Sequence, residues 1–439
     1  MAPAADRDGA ALLHDLARAA GAEERRLAHL PPKPRRTPEE QRSLDELREE
    51  ARRLRFSFVD AHAERIYAEL TDGGADRPRL SALVARAAER WPGLLPSEER
   101  MAAESRCAQR DKEGLEVDQA IFVHGVLGAR RAGRHLLESM RLPTRRALEL
   151  LAEFSARGRV DLGPVLLERA APAAHLTLTA PDTLNAETDA LVAAMETAVD
   201  LVLLDPEVRV GVVRGGPVTP ARYAGRRVFS SGINLAHLHQ GRISYLDFLI
   251  GREIGLVSKV LRGLYLPPET GCWTGAHGHK PWIGAVDTFA IGGGMQLLFT
   301  MDRVIAGSDA YFSLPAAREG IVPGAGNLRL PRLAGNRLAR QVILTGRRIR
   351  ADEPAAHLIC DEVVEPGALE GAVDIAVEQL AAPAVAANRA MLSVAEEPPD
   401  DFRRYMAEFA LQQGARLYAS DVLEKVSGFV GPRPDREAR

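Results

Sequence analysis

Ala290-Ile291-Gly292-Gly293-Gly294-Met295-Gln296 is the stretch on which the fold of this chain turns. It reads as a strand-to-helix junction. Glycine has no Cβ, so a triplet here lets a second backbone or a ligand come close. The first N–H groups of the helix have no acceptor within it, and the helix dipole favours negative charge there. A junction of the same kind stands upstream at Phe229-Ser230-Ser231-Gly232-Ile233-Asn234-Leu235. Two such donors aimed at one point make an oxyanion hole. Taken singly, such a segment reads more readily as an ordinary tight turn. Neither has the GxxxxGK[ST] or GxGxxG spacing of a phosphate loop.

Outward from these junctions the pattern is that of a parallel α/β unit. Short strands are expected at Val165-Leu166-Leu167-Glu168 and at His175–Thr179, and an apolar helix over about 187–204, broken by Asp205-Pro206. A buried strand over Val208–Val213 ends at Gly215-Gly216. The alternation recurs as a strand near 227–230, a helix over 242–263, a strand over 282–286, a helix over 294–300 and a strand over 303–306. From about 331 the chain reads as largely helical again.

Upstream of Gly158 the texture is helical. Thr37-Pro38-Glu39-Glu40 combines a Thr N-cap, Pro at the first helical position and Glu at the third, closing a capping box. The amphipathic run through Leu70 ends at Asp72-Gly73-Gly74. Further helices are expected at roughly 79–91, 97–110, 117–140 and 143–156. The chain thus divides into an all-α N-terminal domain (1–160), an α/β core (161–366) and a helical C-terminal segment (367–439).

Lys and Arg number 57 against 60 Asp and Glu, a formal net charge of -3, so neither nucleic acid nor an anionic membrane is called for as a partner. No apolar run approaches the roughly 20 residues needed to span a bilayer, and the N-terminus lacks a signal-peptide apolar region. Cys107, Cys272 and Cys360 are scattered and odd in number, which fits a reduced compartment. A cytoplasmic enzyme is the expectation.

Seven segments in order resemble the crotonase (enoyl-CoA hydratase/isomerase) superfamily. They are Leu176-Thr177-Leu178 with Asn185-Ala186; Ser231-Gly232-Ile233-Asn234-Leu235; Lys280-Pro281-Trp282-Ile283-Gly284-Ala285-Val286; Gly292-Gly293-Gly294; Asp302-Arg303-Val304-Ile305-Ala306; Pro323-Gly324-Ala325-Gly326; and Thr345-Gly346 with Ala351-Asp352-Glu353-Pro354. The resemblance implies a ClpP/crotonase-like ββα spiral core. It also implies that the N–H groups of Ile233 and Gly293 hold a thioester oxygen as it gains enolate charge. Each donor of this kind contributes ~2.7–4 kcal/mol to such a transition state. The C-terminal stretch 387–429 is similar to the trimerising tail of these enzymes, which implies a homo-hexamer built as a dimer of trimers.

The sequence departs from the hydratases at both of their catalytic glutamates. Gln296 stands at the first position, and Ala316 follows Pro315 at the second. An amide cannot act as a general base, and alanine has no polar group. With Gln296, the long helical N-terminal domain and Ser230-Ser231-Gly232-Ile233-Asn234-Leu235-Ala236-His237-Leu238, the chain resembles a particular branch: the cofactor-independent dioxygenases that act on an arylacetyl-CoA in glycopeptide-antibiotic pathways. That branch implies (3,5-dihydroxyphenyl)acetyl-CoA and O2 as substrates, (3,5-dihydroxyphenyl)glyoxylate and CoA as products, and no cofactor. The alternatives are a hydrolase or isomerase of the same fold that works without oxygen, and an acyl-CoA-binding assembly protein.

By that resemblance Arg252, Glu187 and Gln296 contact substrate, and Leu235, Gly292, Ile321 and Val422 wall a dry pocket. Read alone, Arg252 in Phe248-Leu249-Ile250-Gly251-Arg252-Glu253-Ile254 is equally an ion-pair member, Glu187 a first-turn carboxylate, and the apolar residues plain core. Arg252→Ala is expected to cut turnover far more than folding. An iron site of two His and one carboxylate has weak candidates in His62-Ala63-Glu64, His237/His239 and His277/His279. The last pair is expected to be exposed, and no catalytic metal is assigned. A Gly-x-Ser-x-Gly nucleophile elbow is absent.

Overall fold

The computed structural model describes residues 4–267 and 278–430, with side chains over 9–267 and 278–425. Cys272 and His277 lie outside the described residues. The chain forms two compact units: Met1–Met140 with Leu235–Asp247 and Arg403–Arg439, and Arg141–Asn234 with Phe248–Phe402.

The first unit is helical. Helix Pro38–Leu70 is its spine, and Thr37 closes the expected capping box with Glu40. Its buried Leu44, Ala51 and Phe58 fall at seven-residue spacing and give one apolar stripe. Helices Ala4–Ala28 and Leu115–Gly128 pack against it. The helix expected over 117–140 is two, Leu115–Gly128 and Arg130–Met140, because Ala129 adopts an extended conformation. Buried Glu104 accepts the N–H groups of Glu113, Gly114 and Leu115 at 2.9, 3.0 and 2.8 Å, which satisfies the start of helix Leu115–Gly128.

The second unit carries two sheets. The larger has seven strands: β1 (Arg159–Asp161), β2 (Val165–Ala170), β3 (Ala173–Leu178), β4 (Val210–Gly215), β5 (Trp282–Val286), β7 (Arg303–Gly307) and β10 (Glu362–Val364), adjacent in that order. β1–β2 and β2–β3 are antiparallel; every later pairing is parallel. The central strands β4 and β5 are buried and, apart from Arg214, apolar on both faces, as strands covered on both sides are. Val212 lies opposite Ile283, and Ala285 opposite Ile305, and this row packs under helix Leu369–Leu380.

The smaller sheet has three strands. β6 (Phe289–Ile291) runs parallel to β8 (Tyr311–Ser313), which is antiparallel to β9 (Ile349–Arg350). These strands are too short to show alternation, which is why the sequence reading did not separate them. The strand expected near 227–230 reduces to single bridges, among them Ser230 with Ala290. The helix expected over 242–263 is present, but much of it is wide-turned π-helix, Tyr245–Ile250 and Arg252–Val257, before a final α-helical turn Ser258–Arg262.

Candidate active site

The first glycine junction is held from below by Asn185. This fully buried residue has φ 53, a backbone that Asn tolerates better than most. Its Oδ1 accepts the Ala180 N–H at 2.8 Å, and its Nδ2 donates to the Val228 carbonyl at 2.7 Å. Ser230 Oγ donates to the Asn185 carbonyl at 2.9 Å and accepts the Gly232 N–H at 3.0 Å. The Glu187 N–H donates to the Gly232 carbonyl at 2.7 Å, and the Asn234 N–H to the Glu187 carbonyl at 2.9 Å. The residue between those two contacts is Ile233. Its N–H has no acceptor among the described residues.

The second junction leaves β6 and enters helix Gly293–Leu298 through Gly292, at φ 55 and ψ -120, a conformation open to glycine. The Gly292 N–H is used by the Ser313 carbonyl at 2.8 Å, whereas the Gly293 N–H, first in its helix, has no acceptor among the described residues. The two junctions meet. The Ile291 N–H donates to the Ser230 carbonyl at 2.9 Å. A Cβ on Gly232 (φ +83) would lie 3.3 Å from the Gly293 nitrogen and 3.0 Å from the Ile291 oxygen. Two unsatisfied backbone donors on touching turns are the donor pair an oxyanion hole needs.

Arg252 sits against this point. Its guanidinium is buried and donates to the Gly293 carbonyl at 2.7 Å, to Glu187 Oε1 at 2.9 Å and to Glu253 Oε1 at 2.6 Å. Its Nε also stands 2.9 Å from Glu187 Oε2, as an ion pair without hydrogen-bond alignment. Burial opposes the charge, but the Glu187 and Glu253 carboxylates outweigh it and hold the Arg252 pKa above its ordinary value. Both oxygens of Glu187 are therefore committed to Arg252.

The pair extends into a buried line of alternating charge. Glu253 Oε2 lies 3.5 Å from Arg329, Arg329 Nε donates to Glu397 at 2.9 Å, and Arg262 donates to the same carboxylate at 2.7 Å. Sequence reasoning placed Glu253 beside Arg252 but did not find Arg329, Glu397 or Arg262, because no spacing along the chain ties them to it. This burial bears on one expectation. Arg252→Ala leaves the buried Glu187 carboxylate without its cation and Glu253 with Arg329 alone, so a cost in folding is expected beside the cost in turnover.

Gln296 lies in the first turn of the same helix, buried. A Cβ on Gly324 would lie 2.7 Å from its Oε1 and 2.5 Å from Glu253 Oε1, so the loop Pro323-Gly324-Ala325-Gly326 lies directly over both side chains. Ala325 donates its N–H to Glu253 at 3.2 Å. Ala316, at the second hydratase glutamate position, is buried and begins a one-turn helix, Ala316–Glu319. Ile321 follows that turn and donates its N–H to the Ala316 carbonyl at 3.1 Å. Gly292 and Ile321 thus share a unit with the junctions. Leu235 and Val422 belong to the other compact unit, where helix Leu235–His239 packs on helix Ser420–Val430.

Two of the metal candidates, His62 and Glu64, have other employment. The His62 ring meets Phe58 edge-on at 5.0 Å, and Glu64 accepts the N–H groups of Arg131 and Ala132 at 2.8 and 3.0 Å. His279 is largely buried rather than exposed. Burial and then Arg389, Arg141 and Arg262 lower its pKa to about 4. Among the described residues no three His, Cys, Asp or Glu side chains gather as metal ligands do.

The enoyl-CoA hydratase/isomerase family profile matches residues 272–413. Over 414 residues the chain is 54% identical to the (3,5-dihydroxyphenyl)acetyl-CoA 1,2-dioxygenase of Amycolatopsis orientalis, covering 94% of this chain and 95% of that one. It is 32% identical over 212 residues to the short-chain-enoyl-CoA hydratase of Clostridium acetobutylicum, covering 48% of this chain and 72% of that one. The solved structure of Pseudomonas aeruginosa OdaA superposes with a TM-score of 0.51 at 26% identity, covering 62% of this chain and all of that one (100%). With touching oxyanion turns and a relative that matches it nearly end to end, the chain belongs to the enoyl-CoA hydratase/isomerase family.

Proposed function

We propose that this chain is a cofactor-free dioxygenase that converts (3,5-dihydroxyphenyl)acetyl-CoA and O2 to (3,5-dihydroxyphenyl)glyoxylate and CoA. The observation that carries the reading is the pair of unsatisfied N–H groups at Ile233 and Gly293, with an amide and a methyl group at the two hydratase glutamate positions. Identity of 54% to the Amycolatopsis enzyme over 94% of the chain supports this choice of substrate.

The chemistry follows from where charge develops. The α-CH2 of an arylacetyl thioester is acidified by both the carbonyl and the ring. Donors fixed at Ile233 and Gly293 favour the enolate over the neutral thioester, since they are worth most when the oxygen is negative. The enolate passes an electron to O2 and the two radicals combine at the α-carbon. The peroxide attacks the thioester carbon and expels CoA thiolate; loss of the second α-proton with O–O cleavage leaves the keto acid. The substrate carbanion supplies the electron that a flavin or iron supplies elsewhere. Arg252 fixes Gly293 through its carbonyl and holds Glu187 beside the reacting carbon. Gln296 orients the thioester or peroxide oxygen, and Gly292 and Ile321 keep that side of the site apolar.

We also propose assembly into a homo-hexamer. Ile375, Met391, Leu392 and Val394 expose 59, 70, 57 and 55% of their surface on the helices Leu369–Leu380 and Pro383–Glu396, an apolar surface that suits a subunit contact. Gel filtration at a monomer mass would oppose it. No helix among the described residues is long and apolar enough to cross a membrane.

Oxygen uptake and thiol release, followed together on metal-stripped protein, test the activity. Matched uptake and release in air, with none under nitrogen, supports the dioxygenase. Release indifferent to oxygen makes the chain a thioesterase; neither event leaves an isomerase or an acyl-CoA-binding protein.

A further inference from the structure

The proposed reaction removes both α-protons from the substrate, yet the two hydratase carboxylate positions hold Gln296 and Ala316, and Glu187 is locked to Arg252 through both oxygens. A base must come from elsewhere. We propose that Glu319 is the general base of this reaction, taking the α-proton of the bound arylacetyl thioester from one helical turn beyond the usual position.

Three observations carry the assignment, which rests on the function proposed above. Ala316 and Glu319 open and close the one-turn helix Ala316–Glu319, and residues three apart lie on the same helix face. Glutamate at 319 thus presents a carboxylate from the face on which hydratases carry theirs at 316. The turn is placed by the site itself: it follows β8, whose Ser313 carbonyl takes the Gly292 N–H, and it precedes the loop in which Gly324 abuts Gln296. The Glu319 carboxyl has no ion pair or side-chain hydrogen bond among the described residues, unlike Glu187, Glu253 and Glu397. Its neighbour Arg318 turns elsewhere, with Nε 2.7 Å from where a Cβ on Gly346 would stand.

The carboxyl environment suits the task. Burial alone raises the Glu319 pKa to about 7, with no charged neighbour contributing. A base is most effective when its pKa lies near the working pH. The residue is only partly enclosed, so it can return its proton to water before the second is taken. In the first step the α-C–H bond breaks, an O–H bond forms on Glu319, and the electron pair moves to the thioester oxygen between Ile233 and Gly293.

The test separates this step from oxygen chemistry. The full-length protein is incubated under nitrogen in D2O with (3,5-dihydroxyphenyl)acetyl-CoA, and α-deuterium uptake is followed by mass spectrometry. Wild-type protein is expected to exchange both α-protons, at a rate that rises with pH through about 7. Glu319→Gln is expected to slow exchange at least ~100-fold, the lower end of what general bases contribute, and to lose that pH inflection while binding the thioester as before. Glu319→Asp is expected to recover part of the rate. Exchange by Glu319→Gln at the wild-type rate would overturn the assignment. Wild-type exchange that Glu319→Gln loses, with no oxygen uptake in air, would support the base and sink the dioxygenase; no wild-type exchange would sink the enolate reading and the base together.

Discussion

The carboxylate of Glu187 lies on the α-carbon of Gly293: a Cβ there would stand 2.2 Å from Oε2 and 2.6 Å from Cδ. The second oxyanion donor and the Arg252–Glu187 pair are therefore one packed object. Gly293→Ala is expected to abolish turnover, by 100-fold or more, because the methyl must displace either Glu187 or the turn that aims the N–H (~2.7–4 kcal/mol for a lost oxyanion donor). Steady-state kinetics with circular dichroism as a folding control checks this. Near-wild-type activity would show that the Gly293 N–H is not a donor.

Arg252→Ala and Arg252→Lys separate charge from geometry. Alanine leaves Glu187 buried and unpaired and Glu253 with Arg329 alone, and about 3–5 kcal/mol of stability should go with the cation. Lysine keeps the charge but not the fork that reaches Glu187, Glu253 and Gly293 at once. It is expected to fold with a smaller loss and still turn over poorly. Denaturant melts beside kinetics read both; an Ala variant as stable as wild type would contradict the buried network.

Asn185 makes a positioning prediction. Asn185→Ala removes the partners of the Ala180 N–H and the Val228 carbonyl and strains a residue at φ 53. A loss of roughly 2–4 kcal/mol is expected from two unsatisfied groups and backbone strain. The Ile233 turn should loosen with it, so kcat should fall while KM changes little. Thermal melts and the KM-against-kcat split decide; an effect on KM alone would place Asn185 at a binding surface instead.

Acid and base limbs of the stability curve should carry the marks of two buried groups. His279 stays neutral in the folded chain down to about pH 4, while its unfolded form takes a proton near 6.5. Stability is thus lost as pH falls from 6.5 to 4, on the order of 3 kcal/mol, and His279→Gln should flatten that limb. Glu319 runs the other way: the folded chain keeps its proton up to about pH 7 and the unfolded chain releases it near 4.5. Stability therefore declines as pH rises between those values. Glu319→Gln should be more stable than wild type at pH 8, by up to roughly 3 kcal/mol. Urea melts at pH 4, 6 and 8 test both signs.

Much of this was legible in the sequence because local rules act over short spacings. The capping box at Thr37 and Glu40, the apolar run of β4 and the glycine triplet each encode their own geometry. Ile233 and Gly293 were legible as donors for the same reason, once the order of segments joined them. What the sequence hid lies in long-range pairings. Glu253, Arg329, Glu397 and Arg262 form one charge line only because the fold brings them together. β8 and β9, three and two residues long, leave no periodic signal. Glu319 escaped notice because its neighbourhood reads as surface: Arg318 is exposed, and only the tertiary burial of the turn sets the carboxyl apart.

The division of the chain into units has a consequence for how the protein is made. The helical unit that begins at the N-terminus is completed by residues from Arg403 onward. On the ribosome, Phe122 and its helix emerge well before Arg403, whose guanidinium engages the backbone carbonyls of Leu127 and Gly128. Domains generally fold as units, the N-terminal one first. Here the helix that carries Leu127 and Gly128 lacks its Arg403 contacts until the residues of the other unit have been made, so its closing is tied to chain that is synthesised later.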